Sequence, residues 1–117
     1  MAGDPTRFVQ LFGAQVDDDA LYRRYRESML PIVQRYGGAF SYDFVVSRAL
    51  ISETAHPINR VFAIHFPDRG RAEALFADPS YLAARHAFFM PAVSAITRLA
   101  AYDEPVPAGS APIPADR

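Results

Sequence analysis

The 117-residue chain has no cysteine and no tryptophan, and its formal net charge is only -1. Without cysteine there is no disulfide framework, no thiolate nucleophile, no iron–sulfur cluster and no cysteine-based zinc site. Twelve Lys+Arg against thirteen Asp+Glu give no electrostatic pull towards nucleic acid or an anionic membrane. No apolar run approaches the roughly 20 residues of a membrane-spanning helix. Residues 1–5 lack the basic start and apolar stretch of a secretory signal, so the expectation is a cytoplasmic protein. The three histidines, at 56, 65 and 86, show none of the close spacings of metal sites, and no metal or cofactor is expected. Gly37-Gly38 and Gly70 make neither a dinucleotide fingerprint nor a phosphate loop.

What is present is the composition of one soluble globular domain, 50% apolar and 21% charged. Residues 7–16 are rich in Phe and Val and read as a strand. Asp17, Asp18 and Asp19 then supply a helix cap and first-turn negative charge. Leu21, Tyr25, Met29, Ile32, Val33 and Tyr36 recur at helical spacing over residues 18–36, with Pro31 expected to kink or loosen one turn. Gly37-Gly38 ends that helix. Residues 39–51 alternate as a second strand, with Phe40, Tyr42, Phe44 and Val46 on one side and Ser41, Asp43, Val45 and Ser47 on the other. A third strand follows at 59–66. A short helix is capped by Asp68, another restarts at Asp78-Pro79 and stops near Pro91, and a fourth strand covers 95–102. The order β-α-β-β-α-α-β is that of an α+β, ferredoxin-like sandwich occupying residues 6–104. Residues 105–117, with four prolines, read as a disordered tail.

Such a sheet has helices on one face only. Here both sides of the strands are apolar: Phe8 and Phe12 against Val9 and Leu11, Phe62 and Ile64 against Val61 and Ala63. An uncovered face of that kind predicts a two-fold homodimer packed sheet to sheet. The alternative is a monomer whose tail covers the sheet.

Four motifs, in order, resemble a known family. They are Tyr22-x-x-Tyr25 with Gly37-Gly38; Glu53-x-x-x-Pro57-x-x-Arg60-Val61; Phe66-Pro67-Asp68; and Asp78-Pro79-x-Tyr81-x-x-x-Arg85. Together they resemble the domain of unknown function 1330, within the dimeric α/β barrel superfamily, over residues 7–104. The resemblance implies a dimer whose sheets enclose a shared barrel, and it implies no reaction. Thr54 stands where the family usually has Gly. Phe89 stands where a second basic residue is frequent, which would weaken an anion site built from both.

Gln10, Asp43, His65 and Arg98 each interrupt an apolar run on a different strand. Sharing one face, they would bind a small carboxylate or phenolate, with Arg98 pairing the anion and an Asp43–His65 couple moving a proton. Asp43 and His65 are thus the catalytic candidates. Tyr81 and Arg85, four apart on the last helix, add a pocket rim, against a structural ion pair of Arg85 with Glu53. Tyr25 reads as core, and His56 as exposed in a turn. Arg23, Arg24 and Arg26 read as a solvated face. Two functions follow. One is a small-molecule-binding homodimer, open to cofactor-free catalysis on an aromatic or carboxylate ligand. The other is a non-catalytic assembly or sensor module whose barrel is only a dimer core. A cavity of a few hundred Å³ favours the first and a filled interior the second.

Overall fold

The computed structural model describes residues 5–107. The expected tail therefore lies, from residue 108 onward, outside the described residues. Four strands, β1 (Thr6–Val16), β2 (Ala39–Val45), β3 (Arg60–Phe66) and β4 (Val93–Pro105), form one antiparallel sheet in the order β2-β3-β1-β4. Helices α1 (Asp19–Arg35), α2 (Arg69–Ala77) and α3 (Pro79–Ala84) cover one face. The last continues through a π-helical turn (Arg85–Phe89) into a final turn, α4 (Met90–Ala92). This is the expected α+β arrangement, with β1 and β3 side by side at the centre.

Capping fixes where the helices begin. The Asp18 carboxylate accepts the Leu21 N–H at 3.0 Å, and Asp68 accepts the Arg71 N–H at 2.8 Å. Asp78 does more. Its Oδ1 accepts the N–H groups of Ser80 and Tyr81, while its Oδ2 accepts the Tyr36 hydroxyl at 2.5 Å. That single carboxylate ties the end of α1 to the start of α3. The Tyr36 hydrogen bond, chiefly, lowers the pKa of Asp78, so the anchor stays ionised.

α1 runs through Pro31 without a break, so the expected interruption does not divide it. Its buried stripe is Tyr22, Tyr25, Met29, Ile32 and Val33; Tyr22 takes the place expected for Leu21. The Gly38 and Gly37 N–H groups return to the carbonyls of Val33 and Gln34, a Schellman motif, with Gly37 at φ 77°. Gly38 has a different reason to be glycine: a Cβ there would sit 2.6 Å from the Phe66 ring.

Two strands differ in length from expectation. β2 stops at Val45 rather than 51, because the chain beyond it leaves the ladder after Val46 bonds to Asn59. β4 runs from Val93 to Pro105 instead of 95–102, because β1 pairs with it over its full length, Thr6 opposite Pro105 and Val16 opposite Val93. A proline at that end is tolerated because β4 is an edge strand. Asn59, expected as the first residue of β3, instead clamps the end of β1: its side chain bonds both the N–H and the carbonyl of Val16 at 2.8 Å.

The core lies between sheet and helices. Phe8, Ala14, Val16, Phe62, Ile64 and Phe66 face the α1 stripe, Ala72, Leu75, Tyr81 and Phe89. Complete burial of one such large side chain contributes about 1.5–3 kcal/mol. The opposite face has no helix. Val9, Leu11 and Ala63 line its centre, while Tyr42, Phe44, Leu99 and Tyr102 stand exposed around them.

Candidate functional site

A cavity of about 380 Å³ opens between the sheet and the helices. Its floor is Phe12, Phe62 and Ile64 from the central strands, with Phe40 from β2 and Ile96 from β4. Its roof is Tyr25 and Met29 of α1, Tyr81 of α3, and Arg85 and Phe89 of the π turn; Phe76 closes one end. The rings brace one another: Phe12 stacks on Phe62 at 5.3 Å between centroids, and Tyr25 lies 4.8 Å from Phe89.

The π turn has a visible cause. Pro91 carries no N–H, and the Met90 N–H reaches back five residues to the Arg85 carbonyl. The widened turn leaves Arg85 and Phe89 both on the cavity.

Four of the six residues expected at a site line this cavity: Gln10, Tyr81, Arg85 and Arg98. Arg85 has no carboxylate partner among the described residues, so the alternative of a structural ion pair with Glu53 or another acid is not seen there. Its guanidinium lies beside the Tyr81 hydroxyl and 5.5 Å from the Phe89 ring centroid. Arg98 makes no ion pair or side-chain hydrogen bond among the described residues. Gln10 is 7% exposed, and its Oε1 has no hydrogen-bond partner. Leaving such an atom buried and unpaired costs about 1–3 kcal/mol. The Tyr25 and Tyr81 hydroxyls bond each other at 3.0 Å, and burial first of all raises both pKa values, so both remain protonated at neutral pH.

The other two expected residues are elsewhere, and the proposed Asp43–His65 couple is not assembled within the chain. A register shift between Phe40 and Tyr42 places Phe40 and Asp43 on the helix side, opposite Ile64 and Phe62, and turns Tyr42 and Phe44 to the open side. Strict alternation had grouped Phe40 with Tyr42 and Phe44; the bulge separates them. Asp43 pairs with Arg26 at 2.6 Å, and Arg26 lies 3.7 Å from the Phe40 ring centroid. Arg26 is therefore a packed bridge between α1 and β2, where a solvated face had been expected.

His65 lies across from Val9 on the open face. Burial, and then the nearby Arg7, lower its pKa, with Glu104 opposing. Arg7 and Glu104 pair at 2.7 Å on the same face. His56, expected to be exposed, is instead half-buried, with Nε2 2.7 Å from the Thr97 hydroxyl and Nδ1 2.8 Å from the Pro57 carbonyl.

The cavity wall thus offers guanidinium, amide and hydroxyl groups, and among the described lining residues no carboxylate and no imidazole. It can hold an anion against aromatic rings. It carries no group able to act as a general base near neutral pH. A second cavity of about 410 Å³ adjoins it, sharing Gln10, Phe76 and Arg98 and adding Phe8, Arg69 and Glu73. Among the described residues no group of three metal-ligating side chains converges, and no helix is long and apolar enough to cross a membrane. The residues sequence reasoning missed are the aromatic walls, Phe12, Phe40, Phe62 and Phe76; the signal for Phe12 and Phe62 was the alternation of β1 and β3, whose even-numbered residues all face the helices, while Phe40 and Phe76 come from β2 and α2.

Comparison with known proteins adds a family. The model of the domain of unknown function DUF1330 matches residues 10–89, which include β1 from Gln10 onward, β2, β3, α1 to α3 and the π turn. The chain belongs to this family. The match ends before β4, so Arg98 lies beyond the matched region. No functionally curated protein shows significant sequence similarity to it. Among solved structures, a protein of unknown function from Rhodopseudomonas palustris, RPA0582, superposes with a TM-score of 0.68 at 16% identity, covering 87% of this chain and 83% of that one. A "dabb family" protein with a ferredoxin-like fold from Mesorhizobium loti gives 0.59 at 15% identity, covering 89% and 99%. A candidate antibiotic biosynthesis monooxygenase from Bacteroides thetaiotaomicron gives 0.55 at 14% identity, covering 87% and 90%. At these identities the likeness establishes the ferredoxin-like fold, and that alone.

Proposed function

We propose that this DUF1330 chain binds a small, mainly apolar anion, an aromatic carboxylate or phenolate, between its sheet and helices. The observation that carries the reading is the aromatic cavity of about 380 Å³ walled by two guanidinium groups, Arg85 and Arg98, that have no carboxylate partner among the described residues. Guanidinium groups pair strongly with carboxylates, and more strongly where the site is largely apolar. Phe89, expected to weaken an anion site built from two basic residues, supplies a ring next to Arg85.

We also propose that the working form is a two-fold homodimer joined through the open sheet face. Tyr42 and Phe44, 57% and 52% exposed, rim an apolar patch of the kind that soluble monomers rarely leave bare. A neighbour of the same fold is described as dimeric, though its likeness is to the fold only.

Catalysis receives less support than binding. Asp43 is held by Arg26 and His65 is on the other face, which leaves the cavity without the proton-transferring pair. The reading of a bare assembly module has the apolar face in its favour, but leaves the unpartnered arginines unexplained.

The test is calorimetric titration of the purified protein with 2-naphthoate and with its cationic counterpart 2-naphthylmethylammonium. The acid should bind and the amine should not. Replacing both Arg85 and Arg98 by Met should abolish acid binding while native mass spectrometry still shows a dimer. Equal affinity for the two probes, or none for either, would remove the anion site.

A further inference from the structure

Gln10 is the one polar side chain in the cavity wall that is both buried and wholly unpaired. It sits on the central strand, and its amide makes no hydrogen bond with any described residue. The other buried hydroxyls without partners, those of Tyr22 and Ser41, line neither cavity. The amide carries one donor group and one acceptor that no described residue answers, and as placed its oxygen is closed even to a water-sized group, so a ligand reaches it only by a turn of the side chain. Arg98 supplies donors only. A simple carboxylate seated on Arg98 would satisfy the amide N–H but leave the amide oxygen as it is, unpaired in an apolar wall.

We propose that the ligand is a hydroxylated aromatic acid, whose carboxylate pairs with Arg98 and whose hydroxyl donates to the Gln10 amide oxygen once that side chain has turned to meet it. This rests on the anion-binding reading above and goes beyond it by naming a second, donating group. The placement of the two residues supports it. Phe12 pairs with Arg98 across β1 and β4, and Gln10 is two residues along β1 on the same face. Both also wall the second cavity. The polar end of the ligand thus sits at the junction of the two cavities. Its ring lies among Phe12, Phe62 and Tyr81, and substituents beyond the acid extend towards Arg69.

A donor requirement is sharper than an anion requirement, because a site with a buried acceptor discriminates against analogues that cannot answer it. The experiment compares 2-naphthoate with 4-hydroxy-, 6-hydroxy- and 4-methoxy-2-naphthoate on the intact protein by calorimetry. The better hydroxy acid should bind about tenfold more tightly than 2-naphthoate, equivalent to about 1.4 kcal/mol. The methoxy acid, which accepts but does not donate, should show no gain. In Gln10→Met, of similar shape, the advantage of the hydroxy acid over 2-naphthoate should vanish, both acids losing the same contact of the amide N–H with the carboxylate. If Gln10→Met does not fold, the hydroxy and methoxy acids on the wild-type protein still decide. Equal binding of hydroxy acid and 2-naphthoate, or an advantage that persists in a folded Gln10→Met, overturns the donor assignment and leaves the anion site standing. Failure of all the acids to bind overturns both.

Discussion

The two faces of the sheet come from the same four strands, and each is unfinished in a different way. On the helix-covered face, what is unfinished among the described residues is polar: the buried Gln10 amide oxygen has no hydrogen bond, and the half-buried Arg85 and exposed Arg98 guanidinium groups have no carboxylate. On the open face, what lacks a partner is apolar: Tyr42, Phe44, Leu99 and Tyr102 stand in water around Val9 and Ala63. Two polar pairs there are already made, since Arg7 holds Glu104 and His56 holds Thr97. Cations without carboxylates and an unpaired amide along a ring-lined cleft suit a small ligand. Unmet apolar area on a broad surface calls for another protein surface. The contrast assigns chemistry to one face and assembly to the other.

The largest expected effect tests the part of the covered face that is complete. Phe66 is fully buried, packed against Gly38 and edge-on to Phe76. Phe66→Ala should cost about 3–5 kcal/mol in urea unfolding, from lost burial together with the cavity it leaves. A loss under about 1 kcal/mol would mean that the helix layer is not packed on the sheet as described.

The next effect breaks the open face. Phe44→Asp with Leu99→Asp puts two charges into the apolar rim, where each side chain is exposed in the single chain. An isologous interface repeats every change on both subunits, so four carboxylates would face one another. Association should weaken by at least about a hundredfold, or about 2.8 kcal/mol, read as a monomer in sedimentation equilibrium. The far-ultraviolet spectrum and 2-naphthoate binding should stay, because neither residue lines the cavity. A double variant that remains dimeric would move the interface elsewhere. Loss of ligand binding together with the dimer would join the two faces into one functional unit.

How far the faces were legible from sequence follows from where each signal resides. The caps Asp18, Asp68 and Asp78, the helical stripe and the Gly37-Gly38 stop are local, and the structure bears them out as helix boundaries. Parity within β3 was also local: His65 alternates with Ile64 and Phe66, so it had to oppose them. Which parity faced the helices was not local, because both sides of β1 and β3 are apolar. The shift between Phe40 and Tyr42 defeated alternation outright, since one extra residue in β2 exchanges the faces of everything after it. Asp43 was read as a free acid because its partner, Arg26, is on another element. Gln10 and Arg98 were recognised one at a time as polar interruptions. Their meeting depends on the register of β1 against β4, with its own shift between Leu11 and Phe12, which no local pattern states.

The smallest effect distinguishes the faces by pH. His65 belongs to the open face, where burial and then Arg7 lower its pKa against the opposing effect of Glu104. Below about pH 6.5 the unfolded chain takes up this proton more readily than the native one. Its contribution to stability is therefore complete above pH 6.5 and is lost as pH falls from there through the lowered native value. His65→Gln keeps a polar, neutral side chain and should flatten the decline in the urea midpoint between pH 7.5 and 5.5. The covered cavity should add nothing in this range, having neither imidazole nor carboxylate among its described lining residues. Parallel declines in the two proteins would exclude His65 as the titrating group. Protein concentration then sharpens the comparison. A second copy over the open face would bury His65 further and make its protonation harder, so the wild-type decline should steepen where the chain is dimeric. The Phe44→Asp, Leu99→Asp variant, confined to the monomer, should show only the shallower slope.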